Sequence, residues 1–551
     1  MTTLLPRQPV EVAPPAARPA LRTRWWPAVA EALLAVGAAL GFAAWATTIG
    51  DSPVLRVGQV SGLAALQFRL ALCGIVLLVV AGLAAGAGGR RRESSVRLCA
   101  AAAAGLGGGM LAGGVVFALH GTSWPLLGQG GDNIRLIAWT DDVLRTGRFH
   151  NVYPPGIPRL AAWIARYAEH DDANAALKPL FLTASALVAP AGYLAWRTVL
   201  PPLTALAVAL AGAYALNAPE KPYPLLVLVM VVPLLAKAVQ WLRLSPGFGR
   251  AGAFARGAGL GLPFGLLFLL YAGQHVWSFP AFAVLLPAAL PWRSGRAGLL
   301  RGALLLAGLA AGFLAVGGAY LRQLLGAAGT HDTYCSAWTL ADPAAVGVFP
   351  LTAGPWPLLL AGAGTAIALG LRTPAVSAAL ACFGGAWLLR FYLAHRMARD
   401  ADVHLFTHTE AEVQYTLVVL TVLGASLAVR ELVRHWGGGP GSGSPGGGGP
   451  AGAVAARGAV GLLFGALLFC GVAGSAATDA VLAVHPVPGR AVLGNAAWIA
   501  QHLRNPGGSC SRYAVGGRCV TAPRRPVPPP FDTTGRLRCP DFGFSSRPPA
   551  G

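Results

Sequence analysis

Apolar windows of roughly 16 to 24 residues recur along this chain, each long enough to cross a bilayer as a helix. Short basic loops separate many of them. In hydrocarbon every backbone N–H and C=O must be paired within the chain, so repeated apolar windows restrict the fold to helices or a closed barrel. The unbroken apolar runs, without two-residue alternation, select helices. Only 11% of the 551 residues are charged, 55% are hydrophobic, and the mean hydropathy is +0.58. A soluble domain carries about 25% charge. The sequence therefore predicts an all-α polytopic membrane protein with about 13 transmembrane helices.

Lys and Arg number 42 against 21 acidic residues, a formal net charge of +21. In a soluble protein that excess points to nucleic acid. Here the arginines sit in short loops between apolar runs, with no basic face or base-stacking module, so nucleic acid is not an expected partner. Arg22 with Arg24, Arg90 to Arg97, Arg197, Arg243 with Arg250 and Arg256, Arg293 with Arg296 and Arg301, Arg372, and Arg430 with Arg434 fall on one side of the predicted bundle. Positive loops remain cytoplasmic. That rule places the amino terminus inside and the loops 49–60, 120–177, 217–222, 271–277, 320–354 and 391–412 outside the plasma membrane.

The expected organisation follows. Residues 1–25 form a Pro-rich basic cytoplasmic segment with no cleavable signal, and 26–432 form the multi-span domain. Residues 433–452 are a Gly-rich cytoplasmic linker, 453–476 the last span, and 477–551 a Pro-rich extracytoplasmic tail. The runs 257–271 and 278–291 are shorter than an ordinary span, so either they tilt little or the YAGQHVWS link (Tyr271 to Ser278) dips into the bilayer as buried or cavity-lining backbone. Cys335, Cys510, Cys519 and Cys539 fall outside, where two disulfides are expected with three possible connectivities. Cys73, Cys99, Cys382 and Cys470 lie in or beside spans and read as packing residues. No zinc-ligand spacing appears.

One outer loop concentrates polar chemistry. Gly128 to Tyr167 carries Asp132, Arg135, Asp141, Asp142, Arg145, Arg148 and the YPPG turn at Tyr153 to Gly156. Asp132 follows Gly130 and Gly131 directly after the third span. A single carboxylate at headgroup depth suits a general base for sugar transfer from a lipid phosphate. The same position also suits an N-cap for a helix starting at Asn133. Asp141 with Asp142, and Asp171 with Asp172, read as solvated helix surface. A lipid phosphate needs interfacial cations. Lys178, read as the lysine at an outer boundary, supplies one unless it merely snorkels to the headgroups. Arg390 and Arg396, with His395 and Arg399, break the charge rule on the outer side. They either meet a phosphate or pair with Asp400, Asp402, Glu410 or Glu412. NAPEKPYP (Asn217 to Pro224) and the link containing His275 and Trp277 are outer turns with sugar-stacking potential. No Walker A, HExxH, GxSxG or dinucleotide fingerprint occurs in a plausible context. A glycosyltransferase, a transporter or flippase of lipid-linked sugars, and an assembly scaffold all remain open. Spans nearly free of charge favour the enzyme over the transporter.

The residues resemble the membrane-bound galactan arabinofuranosyltransferases of actinobacterial cell-wall assembly. The resemblance covers roughly residues 50 to 415 and rests on seven landmarks in order. They are VGQVSGL (Val57 to Leu63), GDNIRLIAWTDDVLR (Gly131 to Arg145), YPPG, KPLFLTASALVAPAGYLAWR (Lys178 to Arg197), the APEKPY turn, YAGQHVWS, and HLFTHTEAEVQY (His404 to Tyr415). It implies a GT-C-type helical bundle whose site faces outward. It also implies a polyprenyl-phosphoryl arabinofuranose donor and a cell-wall galactan or related glycan acceptor. Asp132 matches the family's acidic loop residue, Arg135 its neighbouring basic residue, Tyr153 and Pro154 its YPP turn, and Lys178 its KP pair. Asn133 and Ile134 stand where longer polar residues are expected, and the outer carboxy-terminal region is short. Under this reading Asp132 is the base, while Arg135, Lys178, Arg390, Arg396, Tyr153, His275 and Trp277 bind donor phosphate or substrate.

Overall fold

A computed structural model describes residues 25–49, 55–85, 89–149, 153–326, 355–400, 406–437, 450–481, 492–511, 513–514 and 517–522. Its helices, in chain order, are α1 (Trp26–Ala46), α2 (Leu55–Ala85), α3 (Gly89–Ala118), α4 (Asn133–Thr146), α5 (Gly156–Ala168) and α6 (Ala173–Arg197). There follow α7 (Pro202–Ala215), α8 (Pro222–Leu244), α9 (Arg250–Leu270), α10 (Gly273–Ala288) and α11 (Gly295–Gly326). The last are α12 (Trp356–Gly370), α13 (Pro374–Asp400), α14 (Glu410–Gly437), α15 (Pro450–Val481) and α16 (Val492–His502). No strand occurs among the described residues.

Among the described residues, ten segments are long and apolar enough to cross a membrane, one of them, Gly273–Gly326, holding both α10 and α11. Counting those two separately and adding the shorter apolar helices α7 and α12 gives thirteen. The chain is an all-α multi-pass membrane protein.

Helix α3 is the centre, packed on α1, α2, α6, α7 and α15. Its sequence AAAAAGLGGGMLAGG explains this, because only small side chains let five helices approach one axis. A Cβ at Gly105 would stand 2.3 Å from the Ala35 carbonyl, and one at Gly108 2.1 Å from that of Ala186. Helices α9 and α11 use the same device reciprocally. A Cβ at Gly257 or Gly261 would meet the carbonyls of Leu305 or Leu309, and one at Gly308 or Gly312 those of Phe254 or Ala258, all within 2.2 Å.

Charge gathers towards the ends of the bundle. At one end Glu31 of α1 accepts from Arg97 of α3 (2.8 Å), Arg197 of α6 (2.8 Å) and Tyr193 (2.5 Å). At that end too, Arg243 donates to the Arg372 carbonyl and Arg301 to that of Pro246. At the other end lie the close of α3, α4, α5, the α7–α8 and α9–α10 turns, the start of α14, and α16. The division matches the alternation of basic and acidic loops.

Two expectations change. The run 257–271 is not a short span, because α9 begins at Arg250 and spans 21 residues. Tyr271 breaks the helix with extended backbone (φ −158°, ψ 103°), and Gly273 starts α10. The spans are also less free of charge than the sequence suggested. Glu31, Lys178, Arg390 and Glu412 lie within them, and Glu31 and Glu412 each stand near the start of their helix. The Gly-rich stretch at 438–449 lies outside the described residues.

Replacing Gly308 by Val forces α9 and α11 apart and should destabilise the protein by about 1–3 kcal/mol. Gly259→Val, at a position with open space, serves as the control. Thermal unfolding in nanodiscs reads both, and equal midpoints would refute the contact.

Candidate functional site

The loop after α3 is shaped by its own side chains. Leu127, Gly128 and Gly131 adopt left-handed backbone (φ 65°, 55° and 58°). The Asn133 amide donates to the carbonyls of Leu126 (2.7 Å) and Gly128 (3.0 Å), closing the turn. Asp132 does occupy the N-cap position of α4. Its backbone is already helical (φ −74°, ψ −15°), however, and its side chain caps nothing. The carboxylate turns to the ammonium of Lys221. The two side chains stay 26% and 27% exposed, so the pair is sheltered but reachable.

Lys221 immediately precedes α8 in the NAPEKPYP turn. Its Nζ lies 5.9 Å from the Tyr223 ring and 5.7 Å from the Tyr271 ring, near enough for cation–π attraction. The Tyr153 and Tyr223 hydroxyls are 2.5 Å apart, and Trp139 packs on Tyr153 with centroids 4.6 Å apart. Gly156 lets the YPPG turn reach this wall, since a Cβ there would stand 2.6 Å from the Leu269 carbonyl. Burial raises the phenols of Tyr153 and Tyr271, which stay protonated. Burial opposes the charge on Lys221, but the Asp132 carboxylate beside it outweighs that cost and raises the ammonium above the usual lysine value. Burial also raises the neighbouring Glu220 carboxyl. At His408, partial desolvation and Lys221 lower the imidazole while Asp132 pulls the other way.

The His408 ring faces Trp277, with centroids 6.4 Å apart. Trp277 shares a face of α10 with Gln274 and Ser278, at the three- and four-residue spacing of neighbours on a helix. Ser278 donates to Oε1 of Glu412 at 2.6 Å. Three buried atoms here lack a protein partner: Gln274 Oε1, Trp277 Nε1 and Glu412 Oε2. Such an atom costs about 1–3 kcal/mol when left unpaired.

The expected site residues do not all converge. Asp132 and Tyr153 belong to the cluster around Lys221, and Trp277 joins it through His408. Arg135 sits on the first turn of α4. Lys178 lies apart: its ammonium donates to the carbonyls of Leu119 (2.9 Å) and Thr122 (2.5 Å), holding the end of α3. Cations belong there because the last carbonyls of a helix lack partners. His275 turns the other way, into Phe264, Phe268 and Phe313, and its Nε2 lies 3.1 Å from the Phe264 carbonyl. Arg390 is buried in α13, and Arg396 rests over the Tyr392 ring. Of the carboxylates offered as their partners, Glu410 accepts from Gln414 and Glu412 from Ser278. Asp402 lies outside the described residues. Lys221 was the residue sequence reasoning missed. The signal was present, because the loop 217–222 already fell on the same side as Asp132.

The tail adds to the site. Part of it folds back and clasps the Asp132 loop. Leu127 N–H donates to Ala496 (3.0 Å), Thr122 Oγ1 to Ala500 (3.0 Å), and Trp124 Nε1 to Arg504 (2.9 Å). Gln501 donates to Ala118 (2.9 Å) and His120 (3.0 Å), and Asn505 Oδ1 accepts from Ser123 N–H (3.0 Å). Cys510 and Cys519 are disulfide-bonded across this segment. Cys335 and Cys539 lie outside the described residues. Cys99, Cys382 and Cys470 are buried and Cys73 half-buried, all unbridged.

Among the described residues, no three His, Cys, Asp or Glu side chains gather as metal ligands. A cleft lined by Arg92, Ser95, Cys99 and Leu463 is remote from the Asp132–Lys221 pair, because it lies at the Glu31 end of the bundle. Neither a protein-family model nor a curated protein matches the chain.

Lys221→Met should lower stability by about 1–3 kcal/mol, because it strands a sheltered carboxylate. Adding Asp132→Asn should recover part of that loss in thermal unfolding. Strictly additive single and double changes would show that the two are uncoupled. Reducing Cys510–Cys519 should speed amide exchange in residues 119–132, and unchanged exchange would show that the disulfide does not support the clasp.

Proposed function

We propose that this chain is a glycosyltransferase that moves arabinofuranose from a polyprenyl-phosphate donor to a cell-wall galactan or related glycan at the outer face of the plasma membrane. The observation that carries the reading is the Asp132–Lys221 pair. A carboxylate and an ammonium stand side by side, partly exposed, at the end of the bundle where apolar helices give way to polar loops. Donor lipid and glycan acceptor meet at that depth. The resemblance of residues 50–415 to the galactan arabinofuranosyltransferases, and the GT-C-type arrangement it implies, supplies the sugar. The basic loops at the opposite end support a cytoplasmic amino terminus.

The chemistry needs a proton acceptor and a phosphate-binding cation. Asp132 takes the proton of the acceptor hydroxyl as its oxygen bonds to the anomeric carbon. The bond from that carbon to the phosphate oxygen breaks, and the lipid phosphate departs with the electron pair. Lys221 meets the growing negative charge on the phosphate, as preorganised cations do. This role passes to Lys221 because the Lys178 ammonium already holds two carbonyls. Tyr153, Tyr223 and Tyr271 wall one side of the pair.

The test uses the full chain in nanodiscs, a synthetic polyprenyl-phosphoryl arabinofuranose and a galactan oligosaccharide. Wild type should transfer the pentose, and Asp132→Asn should cut kcat by about 10²–10⁴-fold. Full activity of a folded Asp132→Asn protein would remove Asp132 as the base. A wild type that transfers nothing would remove the whole reading.

A further inference from the structure

We infer that the α10 face beside the Asp132–Lys221 pair is a hydroxyl-recognising subsite, in which Gln274, Trp277 and Glu412 hold the ring of the transferred sugar. The inference rests on the proposed function and assigns part of its substrate to particular residues. Gln274, Trp277 and Ser278 lie on one side of α10 by helical spacing. Ser278 fixes one oxygen of Glu412 at 2.6 Å and leaves Oε2 to point elsewhere. The Cys382 thiol also lies beside this carboxyl, but a thiol is only a weak donor. Trp277 packs on His408, whose imidazole feels the charges of both Lys221 and Asp132. That contact sets the face beside the reacting pair.

The chemistry of the unpaired atoms selects the ligand class. Trp277 Nε1 can only donate, while Gln274 Oε1 can only accept. Glu412 Oε2 accepts when the carboxyl is ionised and donates when it is protonated. All three residues are at least nine-tenths buried (2%, 7% and 0% exposed for Gln274, Trp277 and Glu412). A phosphate offers only acceptors and would leave the Gln274 oxygen unmet. An ammonium offers only donors and would leave the indole unmet. Hydroxyl groups do both, so a ring bearing adjacent hydroxyls satisfies all three atoms whichever state the Glu412 carboxyl holds. The Trp277 ring adds a flat face for the sugar's C–H surface.

The experiment compares two probes on the full chain in nanodiscs by microscale thermophoresis: polyprenyl-phosphoryl arabinofuranose and the bare polyprenyl phosphate. Wild type should bind the sugar-bearing lipid about tenfold more tightly. Gln274→Leu, Trp277→Phe and Glu412→Gln should each erase most of that difference while keeping wild-type affinity for the bare lipid, which also certifies their folding. Donor analogues lacking one ring hydroxyl give a measure that needs no variant, and at least one should bind wild type about tenfold more weakly. Variants that keep the full difference, or deoxy donors that bind as well as the parent, overturn the subsite while transfer activity still upholds the enzyme. A wild type that binds both lipids equally overturns the subsite too, and one that binds neither overturns both readings.

Discussion

Hydrocarbon offers no hydrogen bonds, and this single fact arranges the molecule. Backbone groups must pair within helices, so the chain becomes a bundle of apolar helices. Charges leave the middle for the ends or find one another, as Glu31 finds Arg97 and Arg197. Without a hydrophobic drive between helices in lipid, association relies on close packing. That is why α3 is largely alanine and glycine where five partners meet it, and why α9 and α11 exchange glycines. A helix of leucines would be as apolar but could not bring Ala35 and Ala186 within reach of one axis.

The polar end inherits its shape from that packing. Asp132 and Lys221 meet because α3 and α8 end at the same level and their following and preceding turns converge. Tyr153 arrives from the YPPG turn and Tyr271 from the break between α9 and α10. Each of these residues sits on or beside a helix terminus, where backbone direction changes and a side chain can reach across the bundle. The loop between α3 and α4 is held by side chains of three separate segments: Asn133 from the start of α4, Lys178 from α6, and Gln501 from α16.

Much of this was legible in the sequence, and the limits have physical causes. Apolar length and arginine spacing gave the helices and the two ends, because lipid acts on composition. The turn residues gave the start of α4 at Asn133. What composition does not carry is which end residue meets which. Asp132 was equally a cap or a base by pattern, and only the position of Lys221 shows that the carboxylate turns away from the helix it begins. Lys178 and Lys221 look alike as interfacial lysines. One is spent on carbonyls at the end of α3, and the other faces a carboxylate. His275 and Trp277 are two residues apart in an outer turn by pattern. Helical geometry sends one into a phenylalanine cluster and the other towards His408. In the Pro-rich tail, α16 and its following turn carry hydrogen bonds that no local periodicity announces.

The clasp of the tail on the Asp132 loop has a consequence in time. Thr122 and its partner Ala500 are 378 positions apart. At about 5–20 residues per second the ribosome separates their synthesis by roughly 20 to 75 seconds. During that interval the helices from α4 to α15 are still being made, and the loop has no carboxy-terminal partner. A chain interrupted before α16 would carry every residue of the Asp132–Lys221 pair without the segment that holds the loop. The segment around α16 thus makes the loop's contacts only after every residue of the pair has been synthesised.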